Sequence, residues 1–82
     1  MKEIEWSEES LDDLAALDKG MARRIKKAVE RFAEIGAGNV KKLQGIDPPE
    51  FRLRVGDFRV RFHSSDDILH VLRVRNRKDA YR

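Results

Sequence analysis

Arg52, Arg54, Arg59 and Arg61 alternate with apolar residues in the stretch Phe51-Arg52-Leu53-Arg54-Val55-Gly56-Asp57-Phe58-Arg59-Val60-Arg61-Phe62. Side chains alternate across a strand, so Phe51, Leu53 and Val55 share one face and the arginines take the other. Gly56-Asp57 suits a two-residue turn, with Gly56 supplying a positive φ. That turn sets Val55 opposite Phe58, Leu53 opposite Val60 and Phe51 opposite Phe62. It also sets Arg54 opposite Arg59 and Arg52 opposite Arg61. Like charges placed directly opposite destabilise a sheet. A hairpin that accepts this twice points to a polyanionic ligand, because a guanidinium forks onto phosphate oxygens and stays charged.

The same register, continued outward, sets Glu50 opposite His63. That pair reads either as a hydrogen-bonded acid/base couple or as an ordinary cross-strand ion pair. His70 is expected on the core face, in a structural role. Neither histidine has carboxylate partners at metal-ligand spacing, so no metal site is expected.

Charge is distributed in the same sense. The net charge of +3 divides into −2 over residues 1–50 and +5 over residues 51–82. The C-terminal part therefore carries the positive field expected of a nucleic-acid binder. The 82 residues suffice for one domain, 1–82. The absence of cysteine excludes disulfides, thiolate metal sites and a cysteine nucleophile. Without a long apolar run or a leader-like N-terminus, the chain is expected to be soluble and cytoplasmic.

The elements that must position these groups can be read in order. Lys2–Trp6 alternates as a strand, with Ile4 and Trp6 inward. Ser7 is an N-cap, followed by a helix with Leu11, Leu14, Ala15 and Leu17 on one face. Asp18 caps a second helix, whose core face is Met21, Ile25, Ala28, Val29, Phe32, Ala33 and Ile35, ended by Gly36. Arg23, Arg24, Lys26, Lys27, Glu30 and Arg31 fill its other side and read as a solvated face. Residues 37–50 form a connector anchored by Val40 and Leu43. After the hairpin, Ser64-Ser65-Asp66-Asp67 is a turn and Ile68–Arg75 a strand. With Leu72 and Val74 inward, Arg73 and Arg75 join the arginine face. The expected fold is α+β, in the order β-α-α-β-β-β, an antiparallel sheet covered on one face by a helical hairpin.

This order, the Lys42-Leu43-Gln44-Gly45 segment, the arginine hairpin and the ending Arg73-Val74-Arg75-Asn76-Arg77-Lys78-Asp79-Ala80-Tyr81-Arg82 together resemble the RelE/ParE superfamily of toxins from type II toxin–antitoxin pairs. The resemblance covers essentially the whole chain. It implies a cognate antitoxin protein as partner and no cofactor. It also implies one of three activities. RelE-like members cut mRNA in the ribosomal A site without metal, ParE-like members inhibit DNA gyrase, and a degenerate member would only bind its antitoxin. The RelE-like reading, a translation-inhibiting endoribonuclease whose partners are ribosome and mRNA, fits the arginine set best.

On that resemblance Arg52, Arg54, Arg59, Arg77 and Tyr81 are the expected catalytic residues, with Arg75 an alternative to Arg77. Arg61, Arg73, Arg75, Lys78 and Arg82 are expected RNA contacts. RelE-like cleavage needs a base for the ribose 2′-OH, charge stabilisation for the phosphorane and an acid for the leaving oxygen. Arginine serves the second need. It is a poor base, and here Arg52 and Arg54 stand where the RelE pattern has lysines. Tyr81, or the His63 and Glu50 pair, is left for proton transfer.

Overall fold

Each helix begins at a capping side chain that the sequence marks. Ser7 Oγ accepts from the Ser10 N–H at 3.0 Å, starting α1 (Glu8–Ala15), whose first turn holds Glu8 and Glu9. Asp18 Oδ1 accepts from the Met21 N–H at 2.9 Å and starts α2 (Lys19–Ile35). Gly36 ends α2 in the left-handed region, with φ 71°. The computed structural model describes residues 2–78. Its strands are β1 (Glu3–Trp6), β2 (Asn39–Lys42), β3 (Phe51–Val55), β4 (Phe58–Ser64) and β5 (Ile68–Asn76).

The strands form one sheet in the order β1-β5-β4-β3-β2. The α+β layering is the expected one, with two additions. The connector holds β2, which pairs antiparallel to β3 with Val40 opposite Leu53 and Lys41 opposite Arg52. And β1 runs parallel to β5, so the sheet is mixed. The chain leaves β1 through the helices, reaches the far edge at β2, and returns as an antiparallel meander to meet β1.

The hairpin register is the expected one, from Val55 opposite Phe58 to Phe51 opposite Phe62. Gly56 sits at φ 58°, a conformation that glycine adopts without a Cβ clash. Ile25, Val29 and Ala33 of α2 bury against Leu53, Val60 and Phe62. Each large apolar side chain removed from water in this way contributes about 1.5–3 kcal/mol. Phe62 is the centre of an aromatic group, with ring centroids 5.3 Å from Phe32 and 5.6 Å from Phe51.

Four expected apolar core positions differ. Leu11, Ala15 and Ile35 are exposed, because they fall at the margins of their helices' apolar stripes. Ser10 is buried instead, and its hydroxyl donates to the Ser7 carbonyl at 2.8 Å, which satisfies it. Leu72 is the extra residue of a β-bulge: Arg61 faces Arg73 and Phe62 faces Val71, leaving Leu72 without a partner across the strand pair. The bulge restores the alternation, so that Leu69, Val71 and Val74 are all buried.

Candidate nucleic-acid interface

The sheet face turned away from the helices carries the charged residues in rows. Arg75, Arg59 and Arg54 are successive cross-strand partners on β5, β4 and β3. Arg73, Arg61, Arg52 and Lys41 make a second row that extends onto β2. The pleat produces this arrangement. Val60 and Phe62 are pinned in the core, so Arg59, Arg61 and His63 must point outward. A third row contains Glu5, His70 and His63.

Two of the arginines are held by carboxylates. Asp13 of α1 takes Arg73 in a forked pair, Oδ2 from Nε at 2.9 Å and Oδ1 from Nη2 at 3.1 Å. Its Oδ2 also accepts the Val74 N–H at 2.9 Å. Beyond β1, the edge of β5 is thereby closed by α1, with Ser7 Oγ donating to the Leu72 carbonyl at 2.7 Å. Burial pushes the Asp13 carboxyl up, but the Arg73 hydrogen bonds, the Val74 N–H and the charges of Arg73 and Arg75 outweigh it, so the group sits below the usual carboxylate range. Arg73 is raised in turn, chiefly by its hydrogen bond to Asp13. Arg73 is thus a structural tie at the margin of the face.

Glu50 does not pair with His63. It is buried and its Oε2 accepts from Arg61, from Nε at 2.7 Å and also from Nη2. The cause is reach: Arg61 is the diagonal neighbour on the same face, and its long fork spans the offset. His63 Nδ1 instead lies 2.8 Å from the Pro49 carbonyl. A carbonyl only accepts, so Nδ1–H is the donor of this bond. His70 is on this open face, not in the core, with Nδ1 3.4 Å from Glu5 Oε2. The bulge at Leu72 sets that parity.

Arg52 Nε is buried without a hydrogen-bond partner among the described residues. Such a donor costs free energy until an acceptor reaches it. Arg54 is exposed, Arg59 and Arg75 are half-buried, and Arg77 and Lys78 extend past β5 into solvent. The Arg77 N–H donates to the Asp57 carbonyl at 2.7 Å, which brings the end of β5 beside the hairpin turn. Arg59, Arg75 and Arg77 therefore leave the same end of the sheet. Tyr81 and Arg82 lie outside the described residues. No group of three or more His, Asp or Glu that could hold a metal ion is found among the described residues. No helix among them is long and apolar enough to cross a membrane.

The family model described as the ParE toxin of the type II toxin–antitoxin system, parDE, matches residues 4–81. The chain belongs to this family. It is a toxin of the RelE/ParE superfamily. Solved structures agree on the fold. The toxin resembles a chain of the RelB–RelE antitoxin–toxin complex from Methanococcus jannaschii at 24% identity and TM-score 0.76, covering 93% of each chain. The RelE–RelB complex from Pyrococcus horikoshii matches at 22% identity and TM-score 0.77, over 93% of this chain and 94% of that one. The RelBE2 complex from Mycobacterium tuberculosis matches at 18% and 0.79, over 92% and 96%. No curated protein matches the sequence at a significant level.

Proposed function

We propose that the toxin inhibits translation by cutting ribosome-bound mRNA, with the open sheet face as its RNA-binding and catalytic surface. The observation that carries this reading is the pair of cross-strand cation rows. Removed from a ligand, these rows are a cost to the sheet. Laid against a phosphodiester strand, they become charge-assisted hydrogen bonds. A cognate antitoxin partner is supported by the RelB–RelE complexes that share this fold.

The chemistry divides among named groups. The 2′-OH attacks its own 3′ phosphorus and gives its proton to water, since His63 stands four residues along β4 from Arg59, about 13 Å at about 3.3 Å per residue, and does not reach the same phosphate. Arg59, with Arg75 or Arg77, donates to the phosphorane oxygens as negative charge develops there. The P–O5′ bond then breaks, leaving a 2′,3′-cyclic phosphate on one fragment and a 5′-hydroxyl on the other once O5′ takes up a proton. Tyr81 is the expected donor of that proton. Arg52 and Arg54 clamp the flanking phosphates. Each general acid or base of this kind contributes about 10²–10⁴ in rate.

A second reading, inhibition of DNA gyrase, is favoured by the parDE description of the matching family and by arginines where RelE has lysines. One pair of experiments separates them. Purified toxin is added to a defined translation reaction and the mRNA ends are mapped; in parallel it is added to gyrase and supercoiling is followed. Cuts within A-site codons with unaffected supercoiling support cleavage. Intact mRNA with blocked supercoiling overturns it.

A further inference from the structure

Helix α2 carries a second cationic surface, on the opposite side of the molecule from the open sheet face. Lys19, Arg23, Lys27 and Arg31 recur at every fourth residue, and all four are exposed. Residues four apart on a helix are surface neighbours, so these form an unbroken ladder of like charge. It spans about 18 Å, at a rise of about 1.5 Å per residue. Each step of such a ladder destabilises the helix. Lys19 adds to this by standing in the first turn, where the helix dipole favours anions and where α2 has no acidic residue.

A merely solvated helix face normally interleaves signs. Over Lys19–Arg31 this one has six Lys or Arg against Glu30 alone. None of the four ladder cations has an ion-pair partner among the described residues. The ladder also lacks an apolar anchor. The apolar residues of α2 between Lys19 and Arg31 turn towards the sheet, with Ile25 and Val29 fully buried. Protein interfaces are held by buried aromatic, apolar or arginine anchors in pockets. A row of exposed cations with nothing apolar among them matches a phosphate backbone, which is bound by charge and position alone.

We infer that the Lys19–Arg23–Lys27–Arg31 ridge docks the phosphate backbone of a folded RNA, separate from the strand held on the sheet face. The inference rests on the ribosomal reading above. It adds that the target encloses the toxin, because a single strand cannot lie on the open sheet face and on the outer side of the helix that covers the other face. The ridge therefore sets affinity for the particle, while the sheet face performs the cut.

The test compares wild type with the fourfold variant Lys19→Gln, Arg23→Gln, Lys27→Gln and Arg31→Gln. Glutamine is a good helix former and relieves the repulsion, so the variant's melting temperature should equal or exceed wild type. Binding to purified mRNA-programmed ribosomes is measured over a range of potassium chloride, with single-turnover cleavage at saturating ribosomes. The variant should bind more weakly, with a log–log salt slope shallower by about 3, as four lost phosphate contacts require. Its cleavage rate once bound should be unchanged. A Lys19→Arg, Lys27→Arg control should bind as wild type. Equal affinity and slope in the fourfold variant overturn the inference and leave a solvated ridge. So does a variant that keeps ribosome binding but loses its antitoxin, which would assign the ridge to a protein partner. Failure of wild type itself to bind ribosomes is visible without the variant, and removes the ribosomal reading first.

Discussion

Oε2 of Glu50 accepts two hydrogen bonds from the Arg61 guanidinium, from Nε at 2.7 Å and from Nη2. The two partners are unequally placed. The Glu50 side chain is 7% exposed and that of Arg61 44%. Arg61→Met strands a buried carboxylate, whereas Glu50→Gln leaves a guanidinium that water can reach. Arg61→Met should therefore cost about 1–3 kcal/mol, the usual penalty for an orphaned buried acceptor, and Glu50→Gln clearly less. Denaturant midpoints check this. Equal losses would mean that the pair behaves as an exposed one. Glu50→Gln should also bind RNA at least as well as wild type, since it removes a negative charge from the cationic face.

His63 offers a separate test, because the Pro49 carbonyl holds its ring at the other end of the face from Arg59. His63→Gln should leave single-turnover cleavage as in wild type, with RNA affinity little changed. A loss of about 10²–10⁴ in the cleavage rate, the effect of removing a general base, would bring His63 into the mechanism.

The parts of this structure that the sequence displays are those set by near neighbours. Gly56 and the alternation on either side of it define the hairpin, its register and the outward arginines. Ser7, Asp18 and Gly36 announce the helix ends by their own backbone and side-chain chemistry. The less visible parts depend on residues far apart in the chain. β2 has a single apolar residue, Val40, and becomes a strand because Leu53 needs cover on that side. The bulge at Leu72 is set by matching β5 to β4 and to α1 at once, and it moves His70 to the open face. Asp13 meets Arg73 across 60 residues, a pairing that no local pattern reports. The arginine face was therefore readable as a set, while the pairings that divide it into structural ties and available cations were not.

Asp13 joins α1 to the edge of β5 beyond β1 through Arg73 and the Val74 N–H. Its folded-state pKa is depressed, so the stability it contributes is present above the unfolded value, ordinarily near 3.9, and is lost as pH falls through the folded value. Asp13→Asn should lower the melting temperature at pH 7, at about 4–8 °C per kcal/mol for a domain of this size. The gap between variant and wild type should narrow as pH drops below about 4, where the wild-type carboxylate protonates. A gap that stays constant across the acid range would show that the carboxylate's charge contributes nothing. RNA affinity at pH 7 should move little, because Arg73 is at the margin of the face.

Arg75 and Arg54 occupy the two ends of a row whose middle member is Arg59. On the proposed function, replacing an end residue removes a phosphate contact and a like-charge repulsion in one step. Arg54→Gln and Arg75→Gln should each weaken RNA binding and make the log–log salt slope shallower by about 0.7, the increment for one single-strand phosphate. Their melting temperatures should hold or rise. This opposition of sign is what separates a binding row from a structural one. If the guanidiniums chiefly pack the sheet through their apolar stems, the same substitutions lower the melting temperature and leave the salt slope unchanged. Arg54→Lys then tests the geometry of the contact. It keeps the charge and loses the planar fork, so it should preserve the salt slope while reducing affinity, because lysine meets phosphate as a point charge where arginine meets it with two parallel hydrogen bonds.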